Sequence, residues 1–193
     1  MRRLIPVAAA AVILLTIASC ATMVGGSYVA RGVDFTPYRT YDWGPADALP
    51  VGDARLDNNA IFQDHLQGEI EKQLAARGIE RAMPGTKPDL RIHYHASVER
   101  EIEVHDVTGR DGNCPSYDCQ PRVREFEAGT IVLDFMDAFT NQLVWRGWAK
   151  DSLDGIIANQ DLLERQVDAA VAVMLKDLPA GLVRSARQRE ENR

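Results

Sequence analysis

Apolar and polar positions change period several times along the chain, and each change marks an element. From Asp89 to Val98 they alternate strictly, with Leu90, Ile92, Tyr94, Ala96 and Val98 on one side and Arg91, His93, His95 and Ser97 on the other. A period of two predicts a half-buried antiparallel strand, continuing through Glu99 to Val104 with one polar irregularity. Two β-rich runs, Thr130 to Met136 and Leu143 to Ala149, flank the turn-forming stretch Asp137-Ala138-Phe139-Thr140-Asn141 and predict a hairpin over 125–137 and 142–151. In that hairpin Asp134 falls nearly opposite Arg146, an ordinary exposed cross-strand pair.

Helical spacing governs two other stretches. Ile61, Phe62, Leu66, Ile70 and Leu74 recur behind the capping side chains of Asp57, Asn58 and Asn59, with Gln63, Asp64, Gln67, Glu71 and Lys72 on the opposite side and Gly78 as terminator. His65 falls beside the apolar stripe and reads as a boundary residue rather than a ligand. A second helix carries Leu163, Val167, Ala170, Val171, Met174, Leu175 and Leu178 on one face, opens on Asp161 and Glu164 at capping-box spacing, and stops at Pro179 and Gly181. Phe35, Tyr38, Tyr41 and Trp43 crowd the segment before Gly44-Pro45 and predict one more strand. Sheet packing is the usual use of such a cluster, although it would also suit a ligand platform. The order strand, helix, antiparallel strands, helix predicts an α+β domain: an antiparallel β-sheet with two amphipathic helices packed on one face.

The first residues are an address rather than part of that domain. Met1-Arg2-Arg3 precedes an apolar run from Leu4 to Ile17, then Ala18-Ser19-Cys20. Basic start, short apolar stretch and small residues form a secretory signal, and the run is shorter than the ~20 residues of a spanning helix. Ile17-Ala18-Ser19-Cys20 resembles the bacterial lipobox, which implies cleavage before Cys20 after its thiol has received a diacylglycerol. This covalent lipid is the sole cofactor-like group expected. Ala21 after the cysteine, by resemblance to enterobacterial lipoproteins, favours a Gram-negative outer membrane and a periplasm-facing domain. The expected organisation is a signal peptide over 1–19, a lipid-anchored tether over 20–32 containing Gly25-Gly26-Ser27, the α+β domain over 33–181 and a charged tail over 182–193.

Composition narrows the chemistry. Of 193 residues, 46% are hydrophobic, enough for one ordinary domain. The 22 Lys and Arg against 28 Asp and Glu give net charge −6, which becomes −8 once Arg2 and Arg3 leave with the signal. With no basic run in the body, nucleic acid is excluded as a partner. There is no Gly-x-Ser-x-Gly elbow, phosphate-cradling loop or dinucleotide fingerprint, so a non-enzymatic role is expected.

Taken together, Asp34-Phe35, Tyr38, Thr40-Tyr41, Trp43, Pro88-Asp89-Leu90, Gly129-Thr130, Leu133-Asp134, Asp137 to Thr140 and Leu143-Val144-Trp145-Arg146-Gly147 resemble a family of bacterial envelope lipoproteins known as domain of unknown function 4136. The resemblance runs from about Val33 to Pro179. It implies a lipobox, periplasmic exposure and an α+β fold, with Phe35, Tyr41, Trp43, Asp89, Asp134, Asp137, Thr140, Trp145, Arg146 and Gly147 as the family motif, and it supplies no catalytic set. Asn113 to Cys119 departs from the family pattern.

Two constellations remain. Cys114 and Cys119 enclose Pro115-Ser116-Tyr117-Asp118, a turn-prone tetrapeptide, and in an oxidising compartment they are expected to form a local disulfide. The alternative is a metal site: His93 and His95 share a strand face, His105 lies on the following segment, and Cys114 and Cys119 follow in the loop, enough imidazole and thiolate for a tetrahedral zinc ion. The spacing matches no established zinc motif. The expected function is therefore a lipid-anchored envelope protein that binds or scaffolds another envelope protein or peptidoglycan, the alternative being a metal-binding or metal-dependent envelope enzyme using His93, His95 and His105.

Overall fold

The computed structural model describes residues 23–44, 53–57, 59–105 and 122–182. In chain order its elements are β1 (Val24–Val29), β2 (Thr40–Trp43), α1 (Ala54–Asp57), α2 (Ala60–Ala76), β3 (Glu80–Arg81), β4 (Leu90–His105), β5 (Arg122–Asp137), β6 (Leu143–Ser152) and α3 (Gln160–Leu175). The six strands form one sheet in the order β1-β6-β5-β4-β2-β3. The fold is α+β, with α2 and α3 side by side on one face of the sheet.

The sheet is mixed rather than wholly antiparallel. β1, β6, β5 and β4 pair antiparallel, whereas β2 lies parallel to β4 and to β3. The reason is the helix between them: α2 carries the chain back along the sheet, so β4 starts from the same end as β2, as in any β-α-β connection.

The core lies between the helices and one face of β2, β4, β5 and β6. α2 inserts Phe62, Leu66, Ile70 and Leu74, and α3 inserts Leu163, Val167, Ala170, Val171, Met174 and Leu175. These meet Leu90, Ile92, Ala96, Leu133, Phe135 and Trp145 from the strands, as the period-two alternation requires. Ile61, expected on the α2 stripe, is instead exposed at the start of that helix. Both helices are capped by asparagine: Asn59 accepts from the Phe62 N–H and Asn159 from the Leu162 N–H. The capping box expected from Asp161 and Glu164 does not form, because the chain turns into the helix two residues earlier and Glu164 accepts from Gln160. Among the described residues no helix is long and apolar enough to cross a membrane.

Two boundaries also differ from expectation. The segment 20–32, read as a tether, contributes an edge strand from Val24: Val24 to Val29 pair with Lys150 to Trp145. Gly25 and Gly26 signalled flexibility in the sequence, but here they permit close packing, since a Cβ on Gly25 would lie 2.3 Å from Val173 of α3. The strand expected across 34–43 is confined to Thr40–Trp43; Phe35 is buried beside Gly181, and Asp34 accepts from the Thr36 N–H in a local turn.

Candidate functional site

The motif residues build a brace at the closed end of the sheet. The Asp89 carboxylate accepts from the Arg39 N–H at 2.8 Å, the Thr40 N–H at 2.8 Å and the Thr40 hydroxyl at 2.9 Å, fastening the start of β2 to the start of β4. Asp137 closes the β5–β6 turn by accepting from the Phe139 and Thr140 N–H groups and the Thr140 hydroxyl, while Asn141 takes the left-handed conformation at φ 58°. Its other oxygen accepts the Tyr38 hydroxyl at 2.8 Å. These bonds, led by the Thr140 N–H, hold the Asp137 carboxyl below its ordinary range. Burial, helped by Asp137, pushes the Tyr38 phenol up to about 12.

Behind that turn Trp145 is fully buried, its ring 4.7 Å from that of Phe135. Gly147 is required beneath it, because a Cβ there would stand 2.4 Å from the Trp145 ring and 3.1 Å from the Met174 carbonyl oxygen. Tyr41 is buried, and Trp43 donates its indole N–H to Glu71 of α2 at 2.8 Å. Asp134 and Arg146 are register partners, with Arg146 Nε and Nη2 each 2.6 Å from a carboxylate oxygen. This fork-to-fork contact raises the Arg146 pKa, Asp134 being the principal cause. The motif side chains are thus engaged in packing or in internal bonds, although the buried Trp145 indole nitrogen has no hydrogen-bond partner and the Arg146 side chain stays half exposed.

The face of the sheet turned away from the helices is where a ligand would have access. Two rows cross it: Tyr28, Arg146, Asp134 and His93, then Gly26, Trp148, Val132 and His95. Trp148 retains 37% of its exposure and Tyr28 55%. The Trp148 ring lies across the bare backbone of Gly26, where a Cβ would be 3.1 Å from its nitrogen. Neither Tyr28 nor Trp148 stands out as a site residue in the sequence, yet the signal for Trp148 was present. Counting by twos from an inward Trp145 puts position 148 on the outer face.

His93 belongs to the first of these rows, opposite Asp134. Its ring covers Gly44, whose hypothetical Cβ would fall 1.9 Å from a ring carbon. Burial lowers its pKa, with the positive charge of Arg91 and the neighbouring His95 adding to the effect and Asp134 opposing it. His95 shares the face two positions on. His105 does not join them, because β4 is one continuous strand and ten residues of it span about 33 Å. Among the described residues no three His, Cys, Asp or Glu side chains are grouped to hold an ion. Cys20, Cys114 and Cys119 lie outside the described residues.

Two concavities adjoin the sheet. One, about 430 Å³ including its open mouth, lies between sheet and helices and is lined mainly by apolar groups such as Met23, Leu56, Phe62, Ile131, Leu163 and Val167. The other is a shallow groove on the outer face beside Glu101, Arg124, Phe126 and Lys150. Glu101 and Lys150 are ion-paired across it.

With the brace and the two sheet faces described, comparison with known proteins places the chain. The model of domain of unknown function DUF4136 matches residues 26–180. The chain belongs to the DUF4136 family. Among solved structures it is similar to a PDZ domain protein from Parabacteroides distasonis, with 16% identity and a TM-score of 0.51 over 81% of this chain and 35% of that one. The chain therefore spans about a third of that protein's length. Further similarities are to a PelC dodecamer from Paraburkholderia phytofirmans (13% identity, TM-score 0.45, 84% of this chain and 99% of that one) and to a DUF4136 family protein from Bacteroides thetaiotaomicron (9%, 0.44, 76% and 92%). At these identities the likeness is one of fold. No curated protein matches the chain.

Proposed function

We propose that this DUF4136 protein is a lipid-anchored, periplasm-facing envelope protein whose domain binds or scaffolds a partner rather than catalysing a reaction. The observation that carries the reading is the placement of Ile17-Ala18-Ser19-Cys20 directly ahead of β1, whose first residue Val24 is four residues after the cysteine. The use of the family's acidic and aromatic residues as internal braces supports the non-catalytic part. The partner is another envelope protein or peptidoglycan, met by the uncovered sheet face that carries Tyr28 and Trp148. A disulfide between Cys114 and Cys119 belongs to the same reading, since the oxidising periplasm favours it.

The deciding experiment expresses the full chain in a Gram-negative host and measures intact mass and membrane partition for the wild type and Cys20→Ser. The expected result is a chain beginning at Cys20 with the added mass of its acyl groups, lost together with membrane partition in the variant. Alkylation with and without reductant, read in the same spectra, is expected to add two labels only after reduction. An unlipidated wild type would overturn the anchor, and two labels without reductant would overturn the disulfide.

A further inference from the structure

The β4–β5 ladder outruns the rest of the sheet. β6 ends at Ser152, opposite Ala128, which in turn faces Glu99, while β4 continues to His105 and β5 begins at Arg122. Beyond Glu99 the two strands project as an arm of about 20 Å. Its two faces differ. On one, Glu101 pairs with Lys150 and Arg124 with Asp154, so the charges are matched within the molecule. On the other, which continues the helix-bearing face past the ends of the helices, Ile102, Val104 and Val123 are 64%, 59% and 61% exposed, with Val104 and Val123 directly cross-strand; the exposed Glu125 stands opposite Ile102, and Arg100 lies at the root of the same face. Three branched apolar side chains held in one exposed patch on an otherwise charged ribbon call for a partner.

The position of the chain's entry says which partner. β1 runs antiparallel to β6, and its first residue, Val24, lies level with Lys150, Thr130 and Ser97, close to the root of the arm. The chain thus enters the domain at the end from which the arm projects. Cys20 is three residues before Met23, a reach of at most about 11 Å. Turning the arm away from the bilayer would require those residues to run back along the domain for about 23 Å, the length of strand from Ser97 to Leu90. The reach is too short. A lipid on Cys20 therefore leaves the arm directed at the membrane or lying along it.

We infer that the apolar face of this arm, Ile102, Val104 and Val123, docks in the interfacial region of the bilayer that holds the lipid anchor, as a second contact beside the acyl chains. The inference rests on the anchor reading above. The lipid holds the arm at the surface, and burial of the branched side chains among headgroups and upper acyl segments fixes the tilt of the domain. The outer face with Trp148 and Tyr28 is then held at a set orientation to the membrane plane.

The test reconstitutes the full, natively processed chain, carbon-13 labelled at its Ile and Val methyl groups, into nanodiscs of phosphatidylethanolamine and phosphatidylglycerol. A doxyl group on the acyl chains is expected to broaden the methyl signals of Ile102, Val104 and Val123 several-fold more than those of Val29, which is also exposed but lies at the far end of β1. A water-soluble gadolinium chelate is expected to give the reverse order. Equal broadening of the arm and Val29 by the lipid probe overturns the docking, as does arm broadening that follows protein concentration without lipid, which would assign the patch to a second copy. Intact mass of the same sample reports the anchor separately. Where Cys20 proves unmodified, the same chain from residue 21 with a hexahistidine before it, held on nickel-chelating lipid, gives the arm the same tether point and the same two readouts.

Discussion

β4 and β5 pair along all of their sixteen residues, yet the two halves of that one ladder live under different physics. In the inner half Leu90, Ile92, Leu133 and Phe135 are fully removed from water, roofed by α2 and α3 and flanked by other strands. In the outer half the same alternation continues, but it presents Ile102, Val104 and Val123 to solvent, with no helix of the described residues above them. Backbone pairing is equal in both, so pairing is not what separates a stable region from a merely extended one; a lone two-stranded ribbon is marginal in water, and burial supplies the difference. The ion pairs at the arm's base, Arg55 with Asp53 and Glu127 and Arg124 with Asp154, lie at the surface, where water screens them. The family's motif residues cluster in the inner half and hold it shut. The arm carries none of them.

The strongest way to break this contrast is Trp145→Ala. The side chain is fully buried against Phe135 and over Gly147. Removal is expected to cost about 3 to 5 kcal/mol, read as a fall in the urea midpoint at unchanged slope. A loss below about 1 kcal/mol would mean that the inner half does not depend on this packing.

A smaller effect, confined to acid, is expected from His93. Its folded pKa is depressed, first by burial and further by His95 and Arg91 against the pull of Asp134, so the unfolded chain binds the proton more readily. For a base this means that stability is complete above the unfolded value of about 6.5 and is lost as pH falls from there toward the folded pKa. The urea midpoint should drop as pH falls through about 6.5 and below, and His93→Gln should flatten that part of the curve. An unchanged slope in the variant would remove His93 as the source. Only the inner half should feel this, because His93 sits over Gly44 beside the Asp134 to Arg146 pair.

Much of this could be read before any coordinates, for a physical reason. Period two and helical period are imposed by burial, so the inward residues of β4, α2 and α3 and the opposition of Asp134 and Arg146 are visible wherever one face is packed. The edge strand β1 was not, because Gly25-Gly26-Ser27 carries little side-chain pattern and the same glycines serve a flexible tether or a strand pressed against Val173. The parallel pairing of β2 is a property of where α2 returns the chain, which no local alternation encodes. The braces were legible as residues but not as roles: Asp89 and Asp137 sit beside loops, where a carboxylate that caps backbone N–H groups looks the same as one that meets a ligand. The separation of His95 from His105 was also in the sequence, since a strand long enough to reach Val104 already sets them ten residues apart.

The mildest expected change in stability, and the sharpest test of the contrast, comes from the arm. Ile102→Ser, Val104→Ser and Val123→Ser replace side chains that are already more than half exposed and that no helix of the described residues covers, so each is expected to shift stability by no more than about 0.5 kcal/mol. Serine also lowers β-propensity, and that small term is all the ribbon has to lose here. The thermal midpoint of the triple variant in detergent should therefore fall by no more than about 5 °C, while the same variant on nanodiscs should lose the lipid-dependent broadening of the arm. A clear loss of stability in detergent would show that the patch is packed against the protein itself, and the arm would then be an extension of the core rather than a surface held out beyond it.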